Sequence, residues 1–151
     1  IAFKDQAFKD VYSYFNVSEE DYIKLYNDRS TKDKPTDLLQ GYSPRSAMQY
    51  VVEKVNKPLL GKDYLAKYTL EFILKDMYNN YVVSDLGLEE EEQSVLSLLK
   101  EEQYKIIYIN RDGFDFKNDT RSKRTHIDFI IDNNGSLDDL FQKVDNYLKT
   151  V

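Results

Sequence analysis

The chain has 151 residues, 41% of them apolar, and a formal charge of −6, which fits one globular domain with a sizeable core and argues against nucleic-acid binding through bulk charge. It has no cysteine and no tryptophan but 13 tyrosines and 8 phenylalanines, so disulfides, thiol catalysis and thiolate zinc sites are excluded. No apolar run reaches the ~18 residues needed to span a bilayer, and no membrane insertion is expected within these residues.

Phe3, Ala7, Phe8, Val11, Tyr14 and Phe15 recur at helical spacing and predict a first amphipathic helix ending near Asn16. Ser18 followed by Glu19, Glu20 and Asp21 has the form of a capped helix start, with Tyr22, Ile23, Leu25 and Tyr26 as its buried side. A loop from Arg29 to Pro35 precedes one helical turn at Thr36 to Gln40, stopped by Gly41. Ser43-Pro44 opens the next helix, whose stripe is Ala47, Met48, Val51, Val52 and Val55, and Lys57-Pro58 is expected to end it.

The run from Lys62 to Asn80 carries apolar residues on more than one stripe and predicts a central helix contacted on two sides. Alternation in Tyr68-Thr69-Leu70-Glu71-Phe72 is the argument for a pair of strands there instead. An acidic helix follows from Glu89 to Gln103, with Glu89, Glu90, Glu91 and Glu92 in its first turns, where carboxylates interact well with the positive helix end. The segment from Asp85 to Glu102 holds seven acids and one base, and so accounts for the whole net charge.

From Tyr104 onward the pattern changes to strands. Asp112-Gly113 between Lys105–Asn110 and Phe114–Lys117 predicts a two-residue hairpin, and Thr125–Asp132 reads as a third strand. Ile107, Ile109, Phe116, Ile127, Phe129 and Ile131 then share a core face, while Tyr108, Asn110, Asp115, Lys117, His126 and Asp128 lie on a polar one. Asn133-Asn134-Gly135 turns the chain into a helix capped by Ser136, with the stripe Leu137, Leu140, Phe141, Val144 and Leu148. The expected fold is α+β in one domain: a helical part over residues 1–103 with four or five helices, then a three-stranded antiparallel meander over 104–151 packed by the C-terminal helix.

Helix, three strands and helix, with Asp115-Phe116-Lys117 on the second strand, resembles the core of the PD-(D/E)xK nuclease superfamily over about 60 residues. That resemblance implies Mg²⁺ or Mn²⁺ as cofactor and a site of Asp115, Lys117, Asp128 and His126. The preceding strand offers Asn110 where the family has an acid. Arg121 and His126 have the spacing of the HEPN ribonuclease pair, though there the pair sits on a helix. Helices first and sheet last also resembles exported nuclear-transport-factor-2-like domains, which have a longer sheet.

His126 is the single histidine, and no Gly-x-Ser-x-Gly or Gly-x-Gly occurs, so neither a Ser-His-Asp relay nor a glycine phosphate loop can be assembled. Asp132-Asn133-Asn134-Gly135 lacks the glycine and glutamate positions of a calcium loop. With no cofactor implied outside the nuclease resemblance, the leading expectation is a non-catalytic domain that binds another protein, of the inhibitor, immunity or accessory kind. Its expected contact residues are Glu89, Glu90, Glu91, Glu92, Tyr108, Lys117, Arg121 and Arg124, with Lys123 in the same basic connection. The chain begins at Ile1, and its compartment is open: cytoplasmic, or exported after removal of an N-terminal segment.

Overall fold

The computed structural model describes residues 1–76, 78–114 and 126–150. Two compact units divide the chain, an N-terminal one of residues 1–86 with 90–95, and a C-terminal one of residues 87–89 with 96–151. The chain is mostly helical, and the described residues form one two-stranded sheet.

In the N-terminal unit, α1 (Phe3–Phe15) ends at Asn16 in the left-handed conformation, φ 52°. Ala2 has no side-chain acceptor to cap this helix, so Asp85 supplies one from far along the chain, accepting from Phe3 N (2.7 Å) and Lys4 N (3.0 Å). α2 (Glu19–Asn27) is capped as expected by Ser18, whose Oγ accepts from Asp21 N. The two helices meet through rings: Phe8 lies edge-on to Tyr22 and Tyr26, at 5.4 and 4.7 Å between centroids.

A single 3-10 turn at Asp37–Leu39 is stopped by Gln40 and Gly41, both at positive φ. The core gathers Val11, Phe15, Tyr22, Leu39, Ala47 and Val51. Tyr22 is fully buried and donates its hydroxyl to Pro44 O at 2.8 Å, so the polar tip of a core ring is satisfied.

Pro58 does not end the third helix as the sequence predicts. α3 (Pro44–Tyr50) runs through a π-helical stretch, Val51–Asn56, into α4 (Lys57–Leu60). A proline ring collides with the carbonyl four residues back in an α-helix, and the wider π turn before Pro58 relieves that collision. α5 (Tyr64–Lys75) is a helix, not a pair of strands; its first turns bury Tyr64, Leu65, Ala66, Thr69 and Leu70, while Tyr68, Phe72 and Leu74 are exposed.

α6 (Glu89–Leu98) is followed by a 3-10 turn, Glu101–Gln103. In the C-terminal unit the expected three-stranded antiparallel meander is replaced by two short parallel strands, β1 (Ile107–Asn110) and β2 (Phe129–Asp132), paired Ile107 with Phe129 through Asn110 with Asp132. Asp112-Gly113 does form a turn, with Phe114 N donating to Arg111 O, but only Gly113 takes positive φ (77°). Turns that fold two strands into a tight hairpin have positive φ at their first central residue, Asp112 here, so this turn does not return the chain alongside β1. The proposed strand Phe114–Lys117 falls largely outside the described residues, as does Thr125. α7 (Leu137–Leu148) begins as expected with Ser136 as cap, its Oγ accepting from Asp139 N.

Candidate functional site

Parallel pairing is fastened at both ends by side chains. At the entry, Asp128 Oδ2 accepts from Ile106 N at 2.7 Å, while Asp128 N donates back to Ile106 O at 2.9 Å. Lys105 Nζ lies 3.4 Å from the other carboxylate oxygen, and His126 Nε2 lies 3.6 Å from Oδ2. The Ile106 N–H holds the Asp128 carboxyl below its ordinary range; burial opposes this, and Lys105 and His126 add to it. At the exit, Asn133 N donates to Asn110 O (2.7 Å) and Asp112 N to Asn134 Oδ1 (2.7 Å).

Period-2 geometry puts Ile107, Ile109, Phe129 and Ile131 on one face and Tyr108, Asn110, Ile130 and Asp132 on the other. Ile131 alone of the strand residues is buried; Ile107, Ile109, Phe129 and Ile130 are exposed and Tyr108 is half-buried. The carbonyls of Ile106 and Asn110 accept from the β2 side, so the alternation turns the backbone of Ile107 and Ile109 to the other edge. No described residue pairs there. The β2 edge is partly closed by α7, because Lys143 Nζ donates to Asp132 O at 2.7 Å and to its Oδ2 at 3.0 Å.

α7 reaches the sheet with its flank. Tyr147 is buried and stacks on Phe129, 4.6 Å between centroids with planes 27° apart. Between β2 and α7 runs an open groove of about 460 Å³, lined by Phe129, Ile130, Ile131, Asp132, Lys143, Asn146, Tyr147 and Thr150. Three residues of the apolar stripe do not line it and stay open: Leu137, Phe141 and Leu148 are 62%, 56% and 56% exposed, while Leu140 and Val144 are half-buried. Buried parallel strands and a half-buried helix are the ordinary arrangement, and this unit leaves both partly open.

The four glutamates of α6 have different surroundings. Glu89 is exposed, Glu91 and Glu92 are buried, and Glu90 reaches Lys57, whose Nζ lies 2.8 Å from both Glu90 Oε1 and Glu53 Oε1. Burial works to raise the Glu90 carboxyl, but the Lys57 hydrogen bond and charge outweigh it and the net direction is down. Asp115, Lys117, Arg121, Lys123 and Arg124 lie outside the described residues. Asp128 and His126 lie close together, but in the segment before β2 rather than on the polar face of a third strand, and the Asp128 carboxylate is occupied in joining β1 to β2. Among the described residues, no group of three or more His, Cys, Asp or Glu side chains could hold a metal ion, and no helix is long and apolar enough to cross a membrane.

Sequence reasoning missed the parallel pairing and the outward turn of the α7 stripe. The first had a signal: Phe129-Ile130-Ile131 is continuous rather than alternating, as in strands of parallel sheets. The second had none, since periodicity names a stripe without naming what it faces. Comparison with known proteins gives no match among family models, curated proteins or solved structures.

Proposed function

We propose that this chain is a non-catalytic protein-interaction domain of the inhibitor, immunity or accessory kind, and that its contact surface is the C-terminal unit. One observation carries the reading: apolar side chains on β1, β2 and α7 are exposed together in one small unit, with Ile107, Ile109, Ile130, Leu137, Phe141 and Leu148 all among them. Ile107 and Ile109 lie on one sheet face and Ile130 on the other, while Leu137, Phe141 and Leu148 follow one stripe of α7, and exposed apolar residues aligned on one helix face mark a binding site far more often than scattered single residues do. The acidic start of α6 supports a contact role less well, because two of its four glutamates are buried and a third is bonded to Lys57.

A photoreactive residue in place of Phe141, expressed in the native cells, tests this directly. The expected result is a covalent adduct with one other polypeptide, absent when the same group replaces Tyr14 on α1. Adducts at both positions alike, or none at Phe141, would overturn the reading.

A further inference from the structure

At 100° per residue, Leu137, Phe141, Val144 and Leu148 fall within a sector of about 60° on α7, a straight ridge roughly 16 Å long. Leu140, Tyr147 and Lys143 lie on the side toward β2. Asp138 and Asp145 border the ridge on the opposite, open side, one helical heptad apart, and both are exposed. Neither has an ion-pair partner among the described residues. Lys149 lies further round at the helix end, about 40° beyond Asp145. The open border of the ridge is therefore acidic where a partner would meet it.

From this geometry we infer that the α7 ridge receives an amphipathic helix of another protein that carries lysine or arginine beside its apolar stripe, spaced to meet Asp138 and Asp145; the inference rests on the interaction reading above and names its partner. Helix against helix is the packing a straight apolar ridge favours, and flanking charges select the partner. A second copy fits poorly. Antiparallel pairing of two α7 helices sets like flanks together, so Asp138 and Asp145 would face the acids of their counterpart, and Lys143 on the other flank is already bonded to Asp132. An anionic membrane fits no better, because helices that lie on such surfaces border their apolar face with lysine and arginine.

Two synthetic helical peptides of about 16 residues, long enough for four turns, provide the test with the full chain. They share one leucine stripe and differ only in flanking lysines or glutamates. Fluorescence anisotropy is expected to show the lysine peptide binding roughly tenfold more tightly than the glutamate peptide. The double substitution Asp138→Lys with Asp145→Lys should reverse that order, and Phe141→Asp, with its circular dichroism unchanged, should abolish both. Equal binding of the two peptides, or binding of neither, overturns the inference. So does Phe141-dependent binding to phosphatidylserine vesicles, or Phe141-dependent dimerisation in sedimentation. If the photo-crosslink at Phe141 still yields one polypeptide in those cases, the interaction reading stands and only the basic helix is lost.

Discussion

Lys57 Nζ lies 2.8 Å from Glu90 Oε1 while also holding Glu53 at 2.8 Å, and with 11% of its side chain exposed it is among the better-shielded cations of the described residues. The bond joins the end of the π-helical stretch to the first turn of α6, where the local chain alone would leave Glu90 to solvent. α4 brings that cation to a carboxylate more than thirty residues away in sequence.

Lys57→Met is expected to cost about 1–2 kcal/mol at neutral pH, the range for a hydrogen bond to a charged group after allowance for the exposure of Glu53. The pH dependence has a definite sign. Glu90 is lowered in the folded chain, so its contribution is full above its unfolded value of about 4.3 and is lost as pH falls through the lower folded value. Lys57 is raised, although burial opposes this, because Glu53 and Glu90 favour its charge; that contribution is lost only as pH climbs past about 10.4. Urea unfolding should therefore show a constant gap between native protein and variant across neutral pH, narrowing in acid. Identical midpoints at pH 7 would remove the bond from any account of stability.

Asp85 acts as a remote cap for α1. Replacing it with alanine leaves the amides of Phe3 and Lys4 without an acceptor, at a cost of about 1 kcal/mol for a lost helix cap. Asp85→Asn keeps one acceptor oxygen but loses the charge and the second acceptor, because Phe3 N and Lys4 N bond different oxygens of the carboxylate, so it should recover only part of that loss. Hydrogen exchange at Phe3 and Lys4 should be fastest in the alanine variant and intermediate in the asparagine one. Unchanged exchange in Asp85→Ala would mean the contact carries no weight.

Asp128 is held low by the Ile106 N–H, so its fastening of β1 to β2 is complete above its unfolded value of about 3.9 and weakens as pH falls through the lower folded one. The Ile106 amide proton should report this, shifting in acid in the native protein and staying flat in Asp128→Asn. Asp128→Ala should cost about 1 kcal/mol, as for one lost hydrogen bond. Mg²⁺ or Mn²⁺ added at neutral pH should leave the Ile106 amide in place. A metal-induced shift there would return the nuclease resemblance to contention.

These residues also mark how far the sequence could be read. Caps are local, and Ser18, Ser43 and Ser136 stand where the sequence put them because a hydroxyl and an amide three residues on form the whole interaction. Stripes are local too, so α1, α2 and α7 were legible from spacing. Strand direction is not. The alternation in Lys105–Asn110 separates Ile107 and Ile109 from Tyr108 but does not say which side is covered: both isoleucines, expected on the core face, are exposed and Tyr108 is half-buried, and parallel or antiparallel pairing depends on where the chain goes after Asn110. Asp112-Gly113 suggested an immediate return because Asp-Gly is the usual hairpin pair, whereas the fold uses only the glycine's freedom. The same distance effect hid the Asp85 cap and the Lys57 bond to Glu90, each of which joins segments far apart in the chain.

Tyr147 gives the sharpest test of how α7 is attached. Its ring stacks on Phe129 and is 8% exposed, yet its hydroxyl is buried without a hydrogen-bond partner among the described residues. A buried hydroxyl left unsatisfied costs about 1–3 kcal/mol. Tyr147→Phe keeps the stacked ring and removes that cost, so the variant should be as stable as the native protein or more stable, by up to about 1 kcal/mol. Tyr147→Ala removes the ring and should destabilise the C-terminal unit by about 3 kcal/mol, the low end for a large aromatic truncated in a core. On the outer ridge, Phe141→Ser should change stability by no more than about 0.5 kcal/mol, because that ring is exposed. Thermal unfolding of the three variants, followed by amide signals of β2, distinguishes the two sides of the helix. Equal losses for Tyr147→Ala and Phe141→Ser would mean that α7 is seated on its apolar ridge and that the ridge is not free for a partner. A large loss for the first and none for the second would leave Tyr147 as the anchor, with Leu137, Phe141 and Leu148 held in the open by an attachment that does not use them.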